Sequence, residues 1–260
     1  LIYIESKDNA IYKETKKLKD RRNRNKQKKY LIEGFRLVEE ALKAGANIET
    51  IFCFDELESK ITELIEKYNY SGKIFKLNRS LFLEICGTEN PQGILAVVLM
   101  DSNDKLLNGE FYLLCDKVQD PGNLGTIIRT AHAAGIDGII LTKGTVDIYN
   151  DKTIRSTMGS MFYIPIIQDD DFSIINDLKE RGFSLVATSL EGKNDFFDED
   201  LTGKIVITVG NEGNGVSDEI YNISDKKVKI PMPGGAESLN VGVATSIILY
   251  ERVRQIRRLL

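Results

Sequence analysis

The chain holds one histidine, His132, and three cysteines, Cys53, Cys86 and Cys115, in 260 residues. A single histidine leaves no multi-histidine metal site, so no metal is expected, and in the position of His132 no Ser-His-Asp or Cys-His arrangement can be argued from it. His132 lies among alanines on a helical pattern and reads as a packed helix residue. The cysteines sit far apart in apolar surroundings and form no C-x-x-C pair, which fits buried thiols in a reducing cytosol better than a disulfide framework. No apolar run approaches the ~20 residues that a membrane span needs. The opening LIYIESKDNA lacks the basic-then-apolar layout of a secretory signal, so a cytoplasmic location is expected. A phosphate-binding G-x-x-x-x-G-K-[ST] loop is absent, because Gly72-Lys73, Gly192-Lys193 and Gly203-Lys204 are each followed by Ile or Asn. Residues 210–215 read G-N-E-G-N-G, which has the wrong spacing for a dinucleotide loop and puts a carboxylate where a pyrophosphate would lie.

What is present is an ordinary globular composition, 42% hydrophobic and 28% charged, with an uneven charge distribution. Residues 7–29 hold eleven basic and three acidic residues, a local charge of +8 that leaves −12 on the rest of the chain. A basic N-terminal arm on an acidic body suggests a polyanionic partner, with nucleic acid the first candidate. Lys16, Lys17, Arg21, Arg22 and Arg24 in the arm, with Arg36 just after it, are the candidate RNA contacts.

From Tyr30 onward short apolar runs alternate with helical patterns. YLIEG, TIFCF, KIFKL and GILAVVLM read as strands, with helices over 35–44, 57–68 and 79–85 between them. The polar stretch DSNDKLLNGE (101–110) reads as a linker. Beyond it come strands FYLLCDKV, GIIL, FYIPII, FSLVATSL, KIVITVG and KVKIPM, with helices near 122–134, 150–160, 172–181 and 216–222 and a last helix from about 238. The pattern predicts an α/β fold with a mostly parallel sheet. Three divisions are expected: a basic arm at 1–29, a small α/β domain at 30–104, and a larger α/β domain at 105–260.

In the second domain three strands each end in a Gly/Asn-rich turn that opens a helix: DKVQDPGNLGTIIRTAHAAG (116–135), IVITVGNEGNGVSDEI (205–220) and IPMPGGAESLNVGVATSIILYE (230–251). Ligands bind at the carboxyl ends of strands in open α/β sheets, and glycines there allow close backbone approach. Three such loops suggest one composite site. Their polar residues include Asn123, Arg129, Asn211, Glu212, Ser238 and Asn240. Ser238 reads as a helix N-cap and Asn240 as a first-turn residue.

These three loops resemble, in order, the three motifs of the SpoU/TrmH family of RNA ribose 2′-O-methyltransferases, within the SPOUT superfamily. IRSTMGSMFYIPI (154–166) is similar to the family's middle section, and YLIEGFRLVEEALKAG and NPQGILAVV resemble its L30e-like substrate-binding domain. The basic arm resembles that of the branch acting on large-subunit rRNA. The resemblance implies a knotted SPOUT domain with a deep trefoil knot, S-adenosylmethionine as cofactor and a homodimer with the site at the subunit interface. It assigns Arg129, Asn123, Glu212, Ser238 and Asn240 to catalysis, and Ser189, Leu190, Gly210, Ile230, Met232 and Leu239 to the cofactor. It also implies RNA as substrate, with rRNA favoured over tRNA. A tRNA ribose methyltransferase and a non-catalytic RNA-binding or ribosome-assembly protein on the same fold remain the alternatives. One departure is Gly242, where many relatives carry serine or alanine.

Overall fold

The computed structural model describes residues 1–100, 108–190, 192 and 194–259. In chain order it contains β1 (Ile2–Ile4), α1 (Ala10–Lys17), α2 (Arg21–Gln27), β2 (Lys29–Glu33), α3 (Phe35–Lys43), β3 (Ile48–Phe54), α4 (Glu58–Tyr68), β4 (Lys73–Leu77), α5 (Arg79–Ile85) and β5 (Ile94–Leu99). It continues with β6 (Phe111–Cys115), α6 (Pro121–Ala133), β7 (Gly138–Thr142), α7 (Asp151–Thr157), β8 (Ile166–Asp169), α8 (Ser173–Glu180) and β9 (Ser184–Thr188). β10 (Asn194–Asp195), β11 (Ile205–Val209), α9 (Asp218–Ile223), β12 (Lys226–Lys229) and α10 (Val241–Leu259) complete it.

Two compact units result. One comprises Leu1–Ser102 with Tyr149–Phe162, the other Asn103–Ile148 with Tyr163–Leu260. The boundary expected at 104/105 and most of the expected linker lie outside the described residues. The segment carrying α7 belongs with the first unit, although the sequence places it in the second.

The first unit has a five-stranded mixed sheet in the order β1-β4-β3-β5-β2. β3 explains its unbroken apolar run. Ile51 and Cys53 enter one core with Tyr30, Ile32, Val38 and Ile154, and Phe52 and Phe54 enter a second with Tyr12, Phe75, Leu77 and Phe82. Both faces of this strand are covered, so apolar residues occupy both periods.

Residues 1–29 are not a separate arm. β1 pairs in parallel with β4, and α1 packs Tyr12 against the sheet, with the Tyr12 hydroxyl donating to the Leu81 carbonyl at 2.9 Å. Burial raises the Tyr12 phenol to about 12. The physical signal is Tyr12, Thr15 and Leu18 at three-residue spacing, all buried. This apolar stripe lies inside a run of charge. Asn9 and Asp20 cap α1 and α2 by accepting from Tyr12 N and Asn23 N.

The second unit is built on a seven-stranded, wholly parallel sheet, β10-β12-β9-β11-β6-β7-β8. β6 and β11 lie side by side at its centre and are fully buried. Two expected elements shift. The strand read from FYIPII begins only at Ile166, after Pro165, whose ring nitrogen cannot donate to the ladder. The last helix begins at Val241 and not near 238.

Candidate active site

β12, β9, β11 and β6 are consecutive neighbours in the parallel sheet, and all three glycine-rich loops leave from the carboxyl ends of this group. The loop after β6 opens α6, where Pro121 occupies the first turn and Asp120 caps the helix by accepting from Asn123 N at 2.8 Å. Asn123 therefore sits in the first turn of α6, beside the loop that follows β11.

That second loop is shaped by Gly210 and Asn211. A Cβ on Gly210 would lie 2.1 Å from the backbone carbon of Gly215, so the loop closes only on glycine. The Asn211 backbone pairs both ways with Gly215, and its side-chain oxygen accepts from Gly213 N and Asn214 N. Its amide donates to the Lys117 carbonyl at 2.9 Å, which ties this loop to the one after β6.

The loop then presents Glu212. Its carboxylate accepts from Gln119 N at 3.1 Å, Asp120 N at 3.0 Å and Asn123 Nδ2 at 3.0 Å. Partial burial pushes this acid up, but the hydrogen bonds from Asn123, Asp120 and Gln119 outweigh it, and the carboxyl lies below its ordinary range.

The third loop joins the same chain of bonds. Asn240 Nδ2 donates to Asn123 Oδ1 at 2.9 Å, and Asn240 Oδ1 accepts from Gly242 N and Val243 N. Asn240, not Ser238, thus caps α10. Each orientation dictates the next: the acceptor-only carboxylate of Glu212 draws the Asn123 amino group, which turns the Asn123 oxygen to Asn240. Among the described residues one N–H of each asparagine amide is left over for a ligand.

Arg129 lies on α6, exposed, and forms no hydrogen bond or ion pair among the described residues. Ser238 is exposed and likewise without a partner there. At the other end of the group, Ser189 N donates to Val228 O at 2.8 Å, and Leu190 is 68% exposed. Gly210 is buried, and Ile230, Met232 and Leu239 are half-buried. The third loop turns between them through Gly235, with φ of 77° and its N–H on the Met232 carbonyl. Gly242 packs against α6: a Cβ there would lie 3.2 Å from Thr126 Cγ2. The exposed His132 ring stacks on Tyr163 at 4.9 Å.

Sequence reading did not single out Asp116. Its carboxylate is fully buried at the end of β6, accepting from Thr142 Oγ1 at 2.8 Å and Ser217 N at 2.7 Å. Thr142 Oγ1 in turn accepts from Lys117 N, a residue held at φ 55°. The available signal was an acid directly following the apolar run FYLLC.

Among the candidate RNA contacts, Arg21, Arg22 and Arg36 are exposed, while Lys16 and Lys17 are exposed but paired with Glu84 and Glu14. Arg24 departs from expectation. It is buried, and its guanidinium donates to the carbonyls of Leu18 and Lys19, so it closes the turn between α1 and α2 and is not presented to a partner. Among the described residues no helix is long and apolar enough to cross a membrane.

Comparison with known proteins agrees with this geometry. Residues 110–250 match the model of the SpoU rRNA Methylase family, and residues 9–96 that of the MRM3-like substrate binding domain. The chain is 39% identical to the 23S rRNA (guanosine(2553)-2′-O)-methyltransferase RlmP of Bacillus subtilis, over 95% of this chain and 97% of that protein. It is 34% identical to the 23S rRNA (uridine(2479)-2′-O)-methyltransferase of Streptomyces viridochromogenes, over 90% of this chain and 86% of the other. The crystal structure of the SpoU methyltransferase AviRb from Streptomyces viridochromogenes in complex with AdoMet superposes with a TM-score of 0.87 at 31% identity, covering 96% and 98% of the two chains. The chain belongs to the SpoU rRNA methylase family.

Proposed function

We propose that this SpoU-family methylase transfers a methyl group from S-adenosylmethionine to a ribose 2′-hydroxyl of large-subunit ribosomal RNA. The observation that carries the reading is the bonded series Glu212–Asn123–Asn240, which joins the three motif loops, with Arg129, unpartnered among the described residues, on the same helix as Asn123. The two relatives above act on a guanosine and a uridine, so a site shared with them would recognise the ribose and not the base.

The residues present fit the cofactor. Leu190, Ile230, Met232 and Leu239 offer apolar surface, and the backbone N–H groups of Ile230, Met232 and Leu239 make no hydrogen bond among the described residues. That combination suits a purine, which needs apolar contact on its faces and hydrogen bonds at its edge. Ser189, Leu190, Gly210, Ile230, Met232 and Leu239 would hold it. S-adenosylmethionine supplies a methyl group already activated on a sulfonium.

The chain's own part is alignment. A ribose hydroxyl is a weak nucleophile, and holding it in line with the methyl group lowers the entropic part of the barrier. Asn123 and Asn240 are locked by their neighbours, and each keeps one N–H to orient the ribose. A guanidinium is a poor general base, so the role of Arg129 is to anchor the adjacent phosphate and stabilise charge at the 2′-oxygen as its proton passes to solvent water. Ser238, on the loop that carries Asn240, adds a hydroxyl with no partner among the described residues.

The same reading includes a homodimer. Val243 and Tyr250, seven residues apart on α10, are 48% and 50% exposed and give one apolar helix face for a second copy. It also includes the trefoil knot of the superfamily, exposed basic residues of the first unit on rRNA phosphates, no metal, and action in the cytoplasm. The test is transfer from methyl-labelled S-adenosylmethionine to unmodified large-subunit rRNA and, separately, to unmodified tRNA. Label in rRNA alone is expected. Label in tRNA alone would overturn the substrate, and none in either despite cofactor binding would favour a non-catalytic RNA-binding protein.

A further inference from the structure

The first unit holds a cavity of about 310 Å³ at the β2 edge of its sheet, walled by α2, β2, β5 and α7. We propose that it seats one unstacked guanine base of the bound RNA; the proposal rests on the RNA reading above.

Three features select this occupant. First, much of the lining is apolar: Leu31, Leu37, Ile85, Leu95 and Ile154, with Tyr149 among them. A planar heterocycle can bury both faces there, and the volume lies at the small end of the roughly 300–1,000 Å³ range of ligand sites.

Second, the polar lining includes two carboxylates, Glu33 and Asp151, of which Asp151 is paired with Arg155 at 2.8 Å. Each Glu33 oxygen already holds one donor, Gly87 N on Oε2 at 3.0 Å and Thr88 Oγ1 on Oε1. These bonds fix the carboxylate plane, and each oxygen retains a lone pair. Such a group repels phosphate and selects a base edge with two adjacent donors. Guanine has that edge, in its N1–H and its 2-amino group. Uracil offers a single N–H flanked by carbonyls, and adenine and cytosine set their amino group beside an acceptor nitrogen.

Third, the surroundings favour a polyanion. Lys19 and Arg155 line the cavity, and α2, which contributes Arg24 to the wall, also carries exposed Arg21, Arg22 and Lys26. Two of the lining cations are already engaged, Arg155 with Asp151 at 2.8 Å and Lys19 with the Glu84 and Cys86 carbonyls, which leaves the exposed basic residues of α2 to meet the phosphates. Single-stranded RNA is read in this way, by bases splayed out and bonded along their edges. If the ribose-methylating loops read no base, this cavity supplies a base preference.

The experiment is a fluorescence-anisotropy titration of the full chain with labelled single-stranded oligouridine carrying one central guanosine, inosine or abasic position, at one salt concentration. Guanosine is expected to bind roughly ten-fold more tightly than inosine, which lacks the 2-amino group, or the abasic strand. Glu33→Gln should abolish that preference, as should Leu31→Trp, which fills the cavity and keeps the carboxylate. Equal affinity of the three strands for the unaltered protein would overturn the proposal, as would a preference that survives both substitutions. Displacement by micromolar guanosine monophosphate would assign the cavity to a free nucleotide and overturn the RNA occupant. No binding to any strand at low salt would overturn the RNA reading together with the cavity.

Discussion

The Asn240 side-chain amide donates to the Asn123 side-chain oxygen at 2.9 Å, linking the loop before α10 to the first turn of α6 across 117 positions of sequence. Removing either asparagine breaks this shared bond and leaves the other held on one side only, Asn123 by Glu212 and Asn240 by the Gly242 and Val243 N–H groups. Asn123→Ala and Asn240→Ala should each reduce methyl transfer sharply, and the double variant should lose little more. In urea unfolding the pair should show a coupling of about 1 kcal/mol. Strictly additive effects on both rate and stability would mean that the two residues act separately.

Asp116 ties the ends of β6 and β7 to the start of α9 through Thr142 and Ser217. Asp116→Ala leaves a hydroxyl and a backbone N–H without their acceptor, at roughly 1–3 kcal/mol each. Urea midpoints should fall accordingly, with cofactor affinity falling too because both flanking loops lose their anchor. A stability change under about 0.5 kcal/mol, the size expected of an ordinary surface substitution, would show that the loops hold themselves.

Glu212 gives a pH prediction. Its carboxyl lies below the ordinary 4.5, despite burial, because of bonds from Asn123 and the Asp120 and Gln119 N–H groups. A group depressed on folding stabilises the protein fully above its unfolded value and loses that contribution as pH falls through the lower folded value. The stability difference between the unaltered protein and Glu212→Gln should therefore be flat from about pH 8 to about 5 and shrink below about 4.5. A difference that shrinks between about pH 6 and 8 would contradict it.

The basic segment calls for point substitutions. Truncating residues 1–29 would remove β1 from its sheet and Tyr12 from a core, so a failure to bind would report unfolding. Arg21→Ala, Arg22→Ala and Lys26→Ala lie on exposed positions and should leave stability within about 0.5 kcal/mol. If they meet phosphates, the combined variant should bind rRNA more weakly and lower the salt slope by about one for each phosphate it no longer neutralises. An unchanged slope would place the RNA elsewhere.

The sequence carried most of the second unit because alternating apolar runs and helix periods are local signals, and Gly210 marks a closure that only glycine permits. It carried less where the deciding contact is distant. Nothing near Arg24 announces that its guanidinium turns back to Leu18 and Lys19. Ser238 resembles a cap, yet Asn240 takes that place because its amide is also satisfied by Asn123, which only the fold brings near. The stripe Tyr12–Thr15–Leu18 was legible but outweighed by charge, and the affiliation of residues 149–162 with the first unit has no local mark at all.

The position of the transferred methyl group distinguishes ribose from base methylation. Large-subunit rRNA labelled by the unaltered protein and treated with alkali should yield the label in one resistant dinucleotide, because a methylated 2′-oxygen cannot attack the adjacent phosphodiester. Arg129→Ala, folded and cofactor-binding, should yield at least ~100-fold less. Label recovered in alkali-sensitive mononucleotides, on a base, or full transfer by Arg129→Ala, would contradict the account.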